Sequence, residues 1–229
     1  MRKAVKAKQI LILALVLAEG LAGVDHVAAT NSQAMSGEGK VQITVHVSNR
    51  VHMPAGRLSQ SETVATQILR QPGVLVVWLD CTVTGANDEP QPACDRPLGQ
   101  TDLILNFVDE IRSLSPKMKE ETLGFAMVPG DGEQGNTAYI SVQRARDMAR
   151  ECVTPMEIIL GLAAAHEIGH LLMGSGEHSR AGVMRARWDA KDLILAVKGD
   201  LRFTDDQIKK LNAGAIARET VAKSPDAGF

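Results

Sequence analysis

The sequence predicts a single α/β domain: a mixed sheet built first, then a long buried helix, then a C-terminal helix. Three observations predict it. Short segments with strand patterning recur between residues 41 and 142. Residues 158–173 are apolar except for three side chains, as in a helix enclosed on every side. Thr204 and Gln207 stand at capping-box spacing ahead of Ile208, Leu211 and Ile216, which announces the final helix.

Composition sets the outer bounds. A chain of 229 residues with 45% hydrophobic and 23% charged side chains suits one soluble globular domain. The formal charge is −2, from 25 basic against 27 acidic residues, and aromatics are 3%. Neither a basic stripe nor a base-stacking platform can be built from that inventory, so no nucleic-acid partner is expected.

The elements follow in order. Arg2, Lys3, Lys6 and Lys8 precede an apolar run over 10–18, and Val27, Ala28 and Ala29 place small residues before a cut. This is the pattern of a secretory signal peptide over 1–29, and Glu19 interrupts the run well short of a membrane span. The expected product is secreted or periplasmic, with no stable membrane anchor after cleavage. Residues 30–40 read as a linker, and 41–229 as one catalytic-type domain. Residues 41–47 alternate strictly and predict a half-buried strand. Ser59 and Glu62 have capping-box spacing, and the helix after them stops at Pro72 and Gly73. Residues 74–79 form a continuous apolar run, as in a strand covered on both faces. A strand, a helix and a strand in that order predict parallel pairing.

Further strands are expected over 103–108, 123–128 and 138–142, the last two joined by a glycine-containing loop over 129–136. That loop has no phosphate-binding pattern and reads as a flexible connection beside an edge strand. Thr154 is the expected N-cap of the long helix, with Pro155 at its first position. Tyr139, the single tyrosine, reads as a structural ring, with an oxyanion donor as the alternative. Cys81 and Cys94 flank a polar loop, and export to an oxidising compartment makes a bridge between them the expected state. Cys152 is then left over as a small buried residue.

The chemistry sits in the long helix. His166 and His170 are four residues apart and share a face, so both imidazoles can converge on one metal ion. Glu167 lies about a quarter turn away, placed to accept a proton without being a ligand. Two imidazoles and a carboxylate in an otherwise apolar helix need a partner, and a metal with its water supplies one. One Zn²⁺ suits two histidines, a third protein ligand and an open position. The helix is expected to end at Gly174, Ser175 and Gly176, after which the chain can bring back His178 as third ligand. Glu177, Asp189 and Asp192 are the alternatives, although the two aspartates read better as caps of the segment around 188–197.

The two-histidine helix, the glycine exit, the third histidine and Gly182-Val183-Met184 resemble the metzincin zinc metallopeptidases. The stretch is also similar to uncharacterised exported bacterial proteins that share a strand end like Trp78 to Cys81. The resemblance implies a mostly parallel, twisted sheet with a backing helix. It implies zinc on His166, His170 and His178, Glu167 as general base, and Met184 in a methionine turn under the metal. It departs from the family in spacing: residues 171–177 are two longer than usual, and Met173 stands where the family has glycine.

The function so implied is hydrolysis of peptide bonds in a peptide or protein substrate, by a monomer. An edge strand would receive the substrate by strand addition, with Gly124, Phe125, Ala126 and Met127 as its residues. The alternatives are a zinc-binding module with little turnover, or an amidase for a non-peptide substrate.

Overall fold

The computed structural model describes residues 40–82, 92–114, 119, 121–129 and 135–223. The expected leader, nearly all of the linker 30–40 and residues 130–134 of the glycine-containing loop lie outside the described residues.

The strands are β1 (Val41–Asn49), β2 (Val74–Asp80), β3 (Asp102–Val108), β4 (Gly124–Met127) and β5 (Thr137–Ser141). The helices are α1 (Ala55–Leu69), α2 (Pro92–Asp95), α3 (Val142–Glu151), α4 (Met156–Met173), α5 (Ala190–Lys198) and α6 (Asp205–Ala222). The strand order is β2-β1-β3-β5-β4, parallel except for β4, which pairs antiparallel to β5 and forms an edge. This is the mixed, mostly parallel sheet expected, with its backing helix, buried helix and C-terminal helix in place.

Alternation in β1 sends Ile43, Val45 and Val47 into the core, all fully buried. α6 packs on β1, α1 on β2 and α4 on β4 and β5, and α1 and α4 pack closely on each other. Gly161 makes their approach possible, because a β-carbon there would stand 2.5 Å from Ser61 O and from Val64 Cβ. α4 is the only described helix long and apolar enough to cross a membrane, and the core encloses it instead. α6 closes the domain, and its buried Arg218 donates to the carbonyls of Gln100, Gly135 and Leu171. One guanidinium thereby joins the chain ahead of β3, the chain ahead of β5 and the end of α4. Burial lowers its pKa to about 10, still charged at neutral pH.

Several expectations need correction. β2 is an edge strand, half-exposed along its length, whereas β1 lies between β2 and β3 and is mostly buried. Apolar runs and alternation report hydrophobicity, and a sheet's edge is decided by pairing order, which they do not encode. α1 begins at Ala55, before Ser59: the Pro54 carbonyl accepts from the N–H groups of Arg57 and Leu58, so the helix opens without a side-chain cap. Thr154 does not cap α4. Pro155 takes that position, and the Thr154 hydroxyl turns back to the Cys152 carbonyl. Cys152 is exposed, not buried, because it ends α3 at a turn where Val153 adopts φ +50° in solvent. The capping box at Thr204 and Gln207 is present as read.

Cys81 and Cys94 are joined, with Cα atoms 5.6 Å apart, which pins the chain after β2. Beneath the bridge lies His46 of β1, its Nδ1 3.6 Å from Cys81 Sγ and its Nε2 3.5 Å from Asp102 Oδ1. Asp102 is held by two hydrogen bonds of 2.8 Å from Arg96 and one of 2.6 Å from the Gly99 N–H. Burial would raise its pKa, but these bonds and the charges of Arg96 and His46 keep it below the usual carboxylate range.

Candidate active site

Each site residue is placed by a local device. α4 ends at Gly174, whose φ of 61° needs no β-carbon penalty, and the chain reverses toward His178. Ser179 then donates its N–H to the Met184 carbonyl at 2.8 Å, closing a small loop. Gly182 turns at φ +76°, and Val183 N–H donates to the Arg202 carbonyl at 3.0 Å. Met184 is fully buried against α4, where a β-carbon on Gly169 would stand 2.8 Å from its Sδ. Gly169, between the two histidines, is therefore the indentation that receives the methionine.

The histidines are locked in one tautomer. His166 Nδ1 donates to the Val183 carbonyl at 2.8 Å, and His170 Nδ1 to the Ser175 carbonyl at 2.7 Å. A carbonyl only accepts, so both protons sit on Nδ1 and both Nε2 atoms present lone pairs. Those two Nε2 atoms lie 3.0 Å apart. Two lone pairs so close repel each other unless a cation shares them. Burial first, then the charges of His170 and His178, lower the His166 pKa to about 3, so protonation does not relieve the repulsion near neutral pH. Burial likewise lowers His170.

His178 completes the group, with one ligand atom from each of the three side chains within 4.8 Å of the others. It is exposed where its two partners are buried, which leaves an open side. The three-nitrogen set fits a metal ion of zinc's preferences. The remaining alternatives are elsewhere. Glu177 is exposed, and Asp189 and Asp192 form the capping box of α5 and both pair with Arg185.

Glu167 is 5% exposed, and its Oε2 has no hydrogen-bond partner. Burial raises its pKa to about 8. A β-carbon at Gly124 would stand 2.5 Å from Glu167 Oε1, so β4 passes directly over the carboxyl, and a side chain there would displace it. Around these groups lies a cleft of about 720 Å³. Gly124, Phe125 and Ala126 line it on the β4 side, while Met127 is exposed and does not. Arg185, Ala186, Arg187 and Trp188 line it too. Tyr139 stacks on Phe125 with ring centroids 5.0 Å apart.

Sequence reasoning missed two contributors. Trp188 donates its indole N–H at 3.0 Å to the same Val183 carbonyl that fixes His166, and its ring stands edge-on to that imidazole at 5.6 Å. Gly124, expected from the sequence only as a substrate-strand residue, also lies against the Glu167 carboxyl. A tryptophan four residues past the methionine was the available signal for the first; nothing local marked the second.

No family model matches the chain, and no curated protein does. Among solved structures, the chain is similar to a zinc-dependent peptidase from Methanocorpusculum labreanum, with TM-score 0.48 and 14% identity over 73% of this chain and 99% of that one. It is similar to archaemetzincin from Methanopyrus kandleri, with TM-score 0.47 and 17% identity over 79% of this chain and 98% of that one. It is also similar to metalloproteinase-II from Bacteroides fragilis, with TM-score 0.43 and 12% identity over 79% of this chain and 55% of that one.

Proposed function

We propose that the chain is an exported zinc metallopeptidase that hydrolyses peptide bonds, with Glu167 as general base. The observation that carries this reading is the pairing of two opposed Nε2 lone pairs with a buried carboxyl that has no partner, both opening on one cleft. His166, His170 and His178 would hold a single zinc. Bound zinc supplies a Lewis acid that polarises a carbonyl and makes water acidic enough to ionise near neutral pH.

The chain's own residues do the rest. Val183 and Ser175 hold the imidazoles in register through their carbonyls. Glu167 accepts the proton of the attacking water at its free carboxylate oxygen and returns it to the leaving amine. Among the described residues β4 lies at the sheet edge with one side unpaired, so an extended peptide can add to it as a further strand. The Cys81–Cys94 bridge supports export to an oxidising compartment. A site built only to hold metal would close with a fourth ligand and would have no use for Glu167, which weighs against a non-catalytic module.

The test is metal analysis of the chain from Thr30, followed by digestion of a peptide library with and without chelator. The expected result is one zinc per chain and chelator-sensitive cleavage. Full cleavage in the Glu167→Gln variant would overturn the assignment.

A further inference from the structure

The charged residues of the cleft are unequally committed. Arg185 is held by Asp189 and Asp192, and Arg144 by Glu151, none of these three carboxylates lining the cleft. Arg187 has a different kind of partner. It meets Glu121, which precedes β4, in a contact between Nη2 and Oε1 at 3.3 Å. The two residues are 66 apart in sequence, and both line the cleft, one beside β4 and the other on the segment after the methionine. Their pair therefore ties one side of the cleft to the other.

This tie is weak by construction. The Arg187 side chain is 79% exposed and that of Glu121 53%, a setting in which an ion pair contributes little and exchanges readily. A guanidinium offers a fork that binds a carboxylate through two parallel hydrogen bonds, and Glu121 uses only one arm. The balance of charge favours one sign of visitor. Lys119, Arg144, Arg185 and Arg187 line the cleft, against Glu121 and the buried Glu167. Arg144 and Arg185 keep their own carboxylates, so a cationic side chain displacing Arg187 from Glu121 would still face Lys119, whereas an anionic one displacing Glu121 meets Arg187 and Lys119 together.

We propose that the Arg187–Glu121 pair is a charge filter and that the substrates are peptides with an acidic side chain close to the scissile bond. The incoming carboxylate takes the place of Glu121 on Arg187, and releasing the tie opens the cleft for a strand laid along β4. This rests on the peptidase reading above.

The experiment uses two peptide series of one length, acidic and basic at single positions on an otherwise neutral background. Cleavage is measured on the zinc-loaded chain, and binding by fluorescence anisotropy on zinc-loaded Glu167→Gln. Acidic peptides are expected to be favoured about tenfold in both kcat/KM and Kd, less so at high salt. Arg187→Glu should reverse the preference toward basic peptides. Glu121→Gln should tighten binding of acidic peptides, a gain that a purely structural pair would not give. Cleavage without acid preference, or an acid preference that survives Arg187→Glu, overturns the charge filter and leaves the peptidase reading standing. If no peptide is cleaved the peptidase reading fails, and the anisotropy series still decides the filter: equal affinities for acidic and basic peptides overturn it.

Discussion

The fold buries histidine beside carboxylate twice, toward opposite ends of the sheet, and treats the two clusters differently. Near β2, Asp102 receives two bonds from Arg96 and one from Gly99, and the Cys81–Cys94 bridge lies over His46. Near β4, Glu167 keeps a carboxylate oxygen without a partner, and His166 and His170 turn bare nitrogens toward each other. Burying a polar group costs free energy unless it is hydrogen-bonded. The first cluster meets that condition at its carboxylate within the chain, so it serves the fold. The second meets it only when something from outside arrives. The two clusters hold the same two residue types, and what tells them apart is the carboxylate: Asp102 is fully engaged within the chain, whereas Glu167 is not.

The comparison can be broken most sharply at Glu167. Its replacement by Gln should lower turnover by at least ~10³-fold while zinc content is unchanged, because only proton transfer is removed. Gly124→Ala should cost about 10²-fold in kcat, since the new β-carbon pushes the carboxyl aside. Zinc affinity, read by chelator competition, should not change in that variant. His178→Ala should weaken zinc binding by about 10²-fold with the fold intact, as judged by circular dichroism. At the satisfied cluster the response is of another kind. Asp102→Ala should cost about 2 kcal/mol of stability in urea unfolding, because the Gly99 N–H and the Arg96 guanidinium lose their acceptor. Its kcat at a temperature where the variant is folded should match the parent's.

The smallest effect is on pH dependence in the metal-free chain. Glu167 is raised in the folded state from 4.5 to about 8, so the native chain binds the extra proton between those values and loses stability as pH rises through them. His166 is lowered from 6.5 to about 3, so its contribution falls away as pH drops from 6.5 toward 3. The two oppose each other between 4.5 and 6.5, and above 6.5 the His166 contribution no longer offsets that of Glu167. Thermal melts should show Tm declining from pH 6.5 to 8, and Glu167→Gln should abolish that decline. A decline unchanged in the variant would show that Glu167 is not the group responsible.

The open cluster was the more legible of the two. Helical spacing places His166 and His170 on one face whatever surrounds them, and apolar neighbours from 158 to 173 imply burial, so the pair and Glu167 could be read directly. Gly174 likewise announces a helix end by its backbone freedom. His46, Asp102 and Arg96 left no such trace, because they come together through strand pairing and a loop, and no local spacing encodes that. The same holds for β2 at the edge and for Gly124 above Glu167. α3 was also invisible: Val142 to Glu151 carries a strongly polar sequence that packs one narrow face only, through Val142 and Ala145. Where a rule acts within one element the sequence carries it, and where two distant elements must meet it does not.

The Val183 carbonyl accepts from both His166 and Trp188. The indole is therefore wired to the first imidazole of the cluster through a single oxygen, while the chain's second tryptophan, Trp78, is hydrogen-bonded to Thr66 beside β2, away from the cleft. The molecule thus contains its own optical reporter. With Trp78 replaced by Phe, one tryptophan remains, and its emission is expected to change as the histidine cluster fills, with no dye and no substrate.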